Sequence, residues 1–272
     1  MIDSSAEVST GDRFAFGANW RRFIDLVDES RIRAAVDSLT ASLRADDLRG
    51  RDFLDIGCGS GLFSLAAHRL GARVRSFDFD PESVAATAEL RRRFAPDSDW
   101  LIEVGSVLDD GFLAGLGDYD VVYSWGVLHH TGDMWRAVEG AAGRVRAGGT
   151  LFISIYNDQG WESRLWREVK RRYNRSGRLT RALLIAGSTA YLGRRWPAKK
   201  VARVLGLVDR PAHRARGMSR SHDLVDWVGG YPFEVARPEE IFSFLHARGF
   251  ELRHLTTCGG GLGCNEYVLT RA

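Results

Sequence analysis

The run Leu54-Asp55-Ile56-Gly57-Cys58-Gly59-Ser60-Gly61 carries the chain from an apolar segment into a helix-forming one. Phe53 to Ile56 reads as a buried strand, the three alternate glycines as a tight turn, and Leu62 to Leu70 as a helix. A turn of this kind needs glycine, because only a residue without Cβ bends so sharply and lets a ligand approach the backbone. Farther on, a second apolar run, Val74 to Phe77, ends in Asp78-Phe79-Asp80-Pro81. An acid at the end of a second strand is where a doubly wound fold grips ribose hydroxyls. Pro81 suits a first helical turn, and Asp80 is placed to cap it.

Alternation of strand and helix continues outward from this pair. Trp100 to Val104, Tyr119 to Tyr123 and Thr150 to Tyr156 read as strands, with a helix from about Met134 to Val145 before the last of them. Such alternation implies a parallel sheet covered by helices on both faces. It stops between Asn157 and Arg237, where helical patches alternate with glycine, proline and basic residues, and resumes with Pro238 to Arg248, Phe250 to Thr257 and Asn265 to Thr270. Ahead of the sheet, Phe14 to Trp20 holds three aromatics and opens two amphipathic helices.

Taken in order, the glycine turn, Asp78, the run Asp120-Val121-Val122-Tyr123-Ser124 with Val127-Leu128-His129-His130, and Arg146-Ala147-Gly148-Gly149-Thr150-Leu151 resemble the class I S-adenosylmethionine-dependent methyltransferases. In motif style they are nearest to the ubiquinone-biosynthesis O-methyltransferases, where Leu-His-His or Leu-Glu-His follows strand four. The resemblance covers Asp55 to about Ile155 and implies a Rossmann-like doubly wound α/β sheet. That sheet would be mostly parallel with a C-terminal antiparallel hairpin, and a helical lid would be inserted after strand five. The division expected is an N-terminal arm and helices (1–45), a cofactor-binding core (46–157), a lid (158–237) and a return to the core (238–272).

Carried over residue by residue, the resemblance implies that Gly57, Gly59 and Gly61 hold the methionine portion of S-adenosylmethionine, with Asp55 ordering the turn. Cys58 is a small packing residue inside it. Asp78, followed by Phe79, would bind the ribose, and Ser124 ends the fourth strand beside the cofactor. Near adenine the family often places an acid after glycine, whereas Gly105 is followed here by Ser106 and Val107, with Asp109 a more distant substitute. N-terminal helices in the family often cover the cofactor; packing on the sheet edge is the other reading of the aromatics here.

Methyl transfer from a sulfonium is an in-line displacement, so the protein aligns an acceptor and removes its proton. Histidine suits that task near neutral pH. His129 is the expected base and His130 a structural residue; Tyr156, Asp158, His222-Asp223 and Glu266 are further candidates. Trp161, His222, Tyr231 and Glu266 are expected to touch the acceptor.

The chain has 272 residues, a net charge of +3 and three cysteines, Cys58, Cys258 and Cys264. Three cysteines make no disulfide framework, which points to a reducing cytoplasm. Met1 to Gly11 shows no signal pattern, and the longest apolar run, Ala182 to Leu192, is too short to span a bilayer. No cysteine or histidine spacing marks a metal site. From Arg164 to Arg220 there are 17 basic residues against two acids, which suggests an anionic group on a partly apolar small-molecule acceptor. Some of these arginines are expected to face inward, beside the aromatics Trp166, Trp196, Trp227 and Phe233. An RNA methyltransferase using that basic surface is a rival reading, although no RNA-binding module is visible. A cofactor-binding protein without methyl transfer is another. The oligomeric state is not legible.

Overall fold

The computed structural model describes residues 10–193 and 227–272. Seven strands form one sheet: β1 (Asp52–Ile56), β2 (Arg73–Asp78), β3 (Leu101–Val104), β4 (Tyr119–Trp125), β5 (Val145–Tyr156), β6 (Phe250–Thr256) and β7 (Cys264–Arg271). Their order is β3-β2-β1-β4-β5-β7-β6. The first five are parallel, and β7 runs antiparallel to both β5 and β6. This is the doubly wound sheet with a terminal antiparallel hairpin that the motif order implied.

Alternation along β1 explains both faces of the core. Leu54 and Ile56 join Val122, Leu151, Ile153 and Tyr267 on one face. Phe53 joins Leu65, Val74, Trp100, Tyr123 and Phe152 on the other. Asp55 shares Phe53's face, so its carboxylate is only 2% exposed. It is satisfied there by the Ser64 hydroxyl. The Trp100 indole N–H donates to Ser76 Oγ at 2.7 Å, and Ser76 and Ser64 are linked at 2.7 Å. A directed chain of donors therefore runs from Trp100 through Ser76 and Ser64 to Asp55.

The helices are α1 (Phe16–Ile24), α2 (Glu29–Leu43), α3 (Leu62–Arg69), α4 (Pro81–Phe94), α5 (Asp110–Ala114), α6 (Met134–Ala142), α7 (Trp161–Asn174), α8 (Arg178–Gly193) and α9 (Pro238–His246). Asp80 caps α4, its carboxylate accepting from the Glu82 amide at 2.9 Å. The helix expected to reach Val145 stops earlier: Ala142 is its last residue, and Val145 already pairs with Tyr119. The ladder then shifts register before Thr150 meets Val121. A bulge at Gly148, where φ is +72°, absorbs the extra residues.

Between β5 and α9 the described chain is α7, α8 and a return segment from Trp227 to Arg237. On α7 the stripe Ser163, Trp166, Lys170 and Tyr173 is buried, and the arginines are exposed. Among the described residues the arginines of this region are exposed and the buried cation is Lys170; Arg194, Arg195, Arg203, Arg210, Arg214, Arg216 and Arg220, on which the expectation of inward arginines also bears, lie outside the described residues. Trp196, His222, Asp223 and the expected helix Lys199 to Leu207 lie outside the described residues.

Candidate functional site

The carboxyl ends of β1, β2, β4 and β5 open into a cavity of about 950 Å³. This is where ligands sit in open α/β sheets. The turn after β1 forms its floor. Gly57, Gly59 and Gly61 have φ of +75°, +56° and +76°. A Cβ on Gly57 would lie 2.3 Å from a Val127 methyl, and one on Gly59 would lie 3.0 Å from the Trp20 indole. Both sites thus exclude a side chain twice, by backbone conformation and by space.

Asp78 stands at the end of β2 and holds this turn. One carboxylate oxygen accepts from the Gly59 amide and the other from the Asp80 amide, both at 2.9 Å. Burial pushes the Asp78 carboxyl up to about 6, against the pull of those two amides. Burial likewise raises Asp55 to about 7, with Ser64 opposing and the Asp78 charge adding to the rise. The Cys58 thiol is raised as well, chiefly by burial. It accepts a hydrogen bond from Thr87, in keeping with its packing role.

The N-terminal arm closes the cavity over these groups. Phe14, Phe16, Ala18 and Trp20 line it, which is the covering arrangement and not the edge packing. The arm is pinned by the Gly17 amide on Asp80 Oδ2 at 2.9 Å, by Arg21 on Glu82, and by the Phe14 amide on the Tyr231 carbonyl at 2.9 Å. Arg13 lines the cavity too, its guanidinium 4.6 Å from the Phe79 ring and donating to the His130 carbonyl at 2.9 Å. Nothing local in the sequence marks Arg13, because the arm meets residues distant along the chain. Phe79, Ser106 and Val107 line the same end. Asp109 does not; its carboxylate caps α5 through the Phe112 amide.

At the other end, His130, Thr131, Tyr156, Trp227, Trp125, Leu262 and Cys264 form the wall. The two histidines lie on a single 3-10 turn, Leu128–His130, after β4 has ended. His130 reaches the cavity. Its Nδ1 sits 2.6 Å from the Pro232 carbonyl, which can only accept, so Nδ1 carries the proton and Nε2 the unshared pair. His129 does not line the cavity: it is 1% exposed, and neither ring nitrogen has a hydrogen-bond partner among the described residues. Burial, with the His130 and Lys170 charges, holds it well below the ordinary histidine range.

Other expected residues also fall away from the cavity. Ser124 is buried and donates to the Ile56 carbonyl at 2.9 Å, tying β4 to β1. Gly61 serves as the N-cap of α3. Trp161 is 61% exposed. Tyr231 supplies its backbone carbonyl to Phe14, and Glu266 accepts from the Trp125 indole at 2.8 Å. His222 lies outside the described residues.

No group of His, Cys, Asp and Glu among the described residues is arranged to hold a metal ion. No described helix is long and apolar enough to cross a membrane.

Residues 54–151 match a family model described as a methyltransferase domain. Ubiquinone biosynthesis O-methyltransferase of Xanthomonas campestris is 33% identical over 110 residues, covering 40% of this chain and 45% of that protein. Its counterpart in Escherichia coli O157:H7 is 31% identical over 150 residues, covering 53% of this chain and 60% of that one. The chain thus spans about half the length of these curated relatives. Magnesium protoporphyrin IX methyltransferase from Synechocystis PCC 6803, solved with bound SAH, covers 99% of the chain at 17% identity and a TM-score of 0.56. An O-methyltransferase family protein from Burkholderia thailandensis covers 89% of the chain at 12% identity and a TM-score of 0.55. These last two share the fold. The glycine turn, the acid on β2 and the strand order accord with the match of residues 54–151 to a methyltransferase domain, and with the resemblance to the class I S-adenosylmethionine-dependent methyltransferases.

Proposed function

We propose that the protein transfers a methyl group from S-adenosylmethionine to an oxygen of a small-molecule acceptor. The observation that carries this reading is one cavity with two unlike ends. One end has the glycine turn and two carboxylates, Asp55 and Asp78; the other is walled by Trp125, His130, Tyr156 and Trp227. Asp78 would take the ribose hydroxyls, and the aromatic end would take a partly apolar acceptor. The neutral Nε2 of His130 replaces His129 as the atom proposed to receive the acceptor's proton. The transfer itself forms a C–O bond as the C–S bond breaks, with that electron pair remaining on sulfur.

An anionic group on the acceptor is supported by Arg13 in the wall and by Lys170 behind it. Residues 158–237 are proposed to cover the acceptor end, supported by Trp227 on the wall. A cytoplasmic setting is proposed with this function, supported by three cysteines of which none forms a disulfide. The RNA-directed reading is not favoured, because this acceptor end is a walled cavity.

Calorimetric titration tests the assignment. S-adenosylmethionine and its demethylated product should bind, NAD should not, and a library of small phenols and carboxylates with methyl-labelled cofactor should yield a labelled product. Preferential binding of NAD would overturn it.

The raised carboxyls add a pH signature. A folded-state carboxyl above its unfolded value near 3.8 takes up protons more readily in the native protein. Its contribution to stability therefore falls as pH rises through that value and on to about 6. The cofactor-free protein should lose melting temperature over this range relative to an Asp78→Asn variant. Bound S-adenosylhomocysteine should stabilise wild type more at pH 8 than at pH 5, since the charged carboxylate is the better acceptor. A ligand-induced shift that does not change with pH would count against Asp78 as the ribose acid.

A further inference from the structure

Ser64 on α3 and Ser76 on β2 are wholly buried, on the face of the core that holds Phe53, Leu65 and Val74. Hydroxyls enclosed in an apolar core are costly unless each finds partners. Three hydrogen bonds in series supply them here. The Trp100 indole N–H donates to Ser76 Oγ at 2.7 Å, the two serines meet at 2.7 Å, and Ser64 Oγ donates to Asp55 Oδ2 at 2.5 Å. A hydroxyl carries one hydrogen, and that of Ser64 is spent on the carboxylate. Ser76 must therefore donate the link between the serines, while it accepts from an indole that can only donate. The far end is fixed as well, because the Trp100 carbonyl accepts from Arg91 of α4 at 2.7 Å.

Asp55 is where this chain of bonds meets the cavity. The residue is almost wholly enclosed, yet it lines the cavity beside the glycine turn. Ser64 holds Oδ2, and Oδ1 accepts no hydrogen bond among the described residues, so Oδ1 is the oxygen left to a ligand. Asp55 and Tyr123 are register partners on β1 and β4, and the Tyr123 ring stacks on Phe63 with centroids 5.3 Å apart. Both rings line the same cavity. A carboxylate oxygen and aromatic faces are each attractive to a cation. Burial raises the Asp55 carboxyl, and the Ser64 hydrogen bond opposes that rise, so the last link favours the charged form.

We propose that Trp100, Ser76 and Ser64 are positioning residues for the cofactor: their chain of hydrogen bonds holds Asp55 with Oδ1 turned to the ammonium of the methionine portion. This rests on the methyltransferase reading of the same cavity. None of the three lines the cavity, so each acts through Asp55 and not on the ligand. Ser64 fixes the rotation of the carboxylate. Ser76 supplies the hydrogen that keeps Ser64 from turning its own away from Asp55. Trp100 fills an acceptor site on Ser76 and so directs that hydrogen toward Ser64. Hydrogen bonds in series polarise one another, so a change at Trp100 is felt at Asp55. The site then reads the charge of the ligand's amino group, and the strength of that reading depends on residues outside the cavity.

The test compares two ligands by calorimetric titration at neutral to mildly basic pH: S-adenosylhomocysteine and its analogue lacking only the amino group. Wild type should prefer the first by on the order of 30-fold, the weight of one hydrogen bond between charged partners. Ser64→Ala should shrink that preference by about fivefold, the weight of the bond it removes, while affinity for the analogue stays near wild type. Trp100→Phe combined with Ser76→Ala, which removes donor and hydroxyl together, should shrink it by at least about twofold. Asp55→Asn should abolish the preference, and in that background Ser64→Ala should change it no further. If Ser64→Ala does not fold, Ser64→Cys, which keeps the bulk and donates weakly, takes its place. Equal losses for both ligands overturn the proposal, since a chain that only braces the fold cannot tell them apart. No loss for either, or a wild type without preference, overturns it too. An effect of Ser64→Ala with none from the upstream pair overturns the chain as a unit. Failure of wild type to bind S-adenosylhomocysteine at all would strike the methyltransferase reading instead.

Discussion

Replacing Asp78 with alanine should weaken S-adenosylmethionine binding on the order of 10²-fold and leave the fold intact. The loss follows from geometry. Asp78 lines the cavity, each of its carboxylate oxygens steadied by one backbone amide at 2.9 Å and each retaining capacity for a ribose hydroxyl. Charge-assisted bonds of that kind contribute roughly 1.5–3 kcal/mol apiece, and two of them at the low end of that range give the expected change. Survival of the fold follows from electrostatics. A carboxyl held up to about 6 by burial is one whose charge the folded protein tolerates at a cost. Removing it relieves that cost, while the Gly59 and Asp80 amides open onto the cavity and can be hydrated. Cofactor-free Asp78→Ala should therefore melt at or above the wild-type temperature at pH 8. Wild-type affinity in the variant would remove Asp78 from the site; a collapse of melting temperature would make it a structural residue.

This pairing of a weakly stable group with a strong ligand role was legible in the sequence because it is local. The apolar run, the glycines and the acid after the next strand each declare themselves within a few residues, and backbone conformation does the rest. Asp80 as a cap was equally local. The arm was not legible in detail: three aromatics near Phe14 can pack in several places, and only the folded chain brings Trp20 over Gly59. Lys170 did leave a signal. It recurs with Ser163, Trp166 and Tyr173 at helical spacing, which puts it on the apolar stripe of α7. Counted only as one member of a basic run, it was not singled out from the arginines around it. Its place on the stripe was the better guide, because the period of burial, and not the run's composition, decides which cation is enclosed.

The two histidines show where local pattern misleads, and they carry the other large expected effect. The sequence places both histidines directly after strand four, but the chain is no longer a strand there. β4 ends at Trp125, and Leu128 to His130 form a 3-10 turn. At three residues per turn His130 swings to the cavity, and His129 goes inward against Tyr156, with ring centroids 4.1 Å apart. His130→Ala should therefore lower kcat by roughly 10²–10⁴-fold, the usual contribution of a positioned proton acceptor, with cofactor affinity near wild type. His130→Gln should recover little, since its amide cannot take up a proton. His129→Ala should behave differently. It removes a buried ring whose nitrogens make no hydrogen bonds among the described residues, leaving a void beside Tyr156. Its signature should be a lower melting temperature and a modest change in turnover at temperatures where the variant stays folded. Steady-state kinetics on the identified acceptor, paired with thermal unfolding of both variants, separates the two roles. Full turnover by His130→Ala would leave alignment by the cavity as the whole of catalysis. A kinetic defect confined to His129→Ala would return the base to the buried ring.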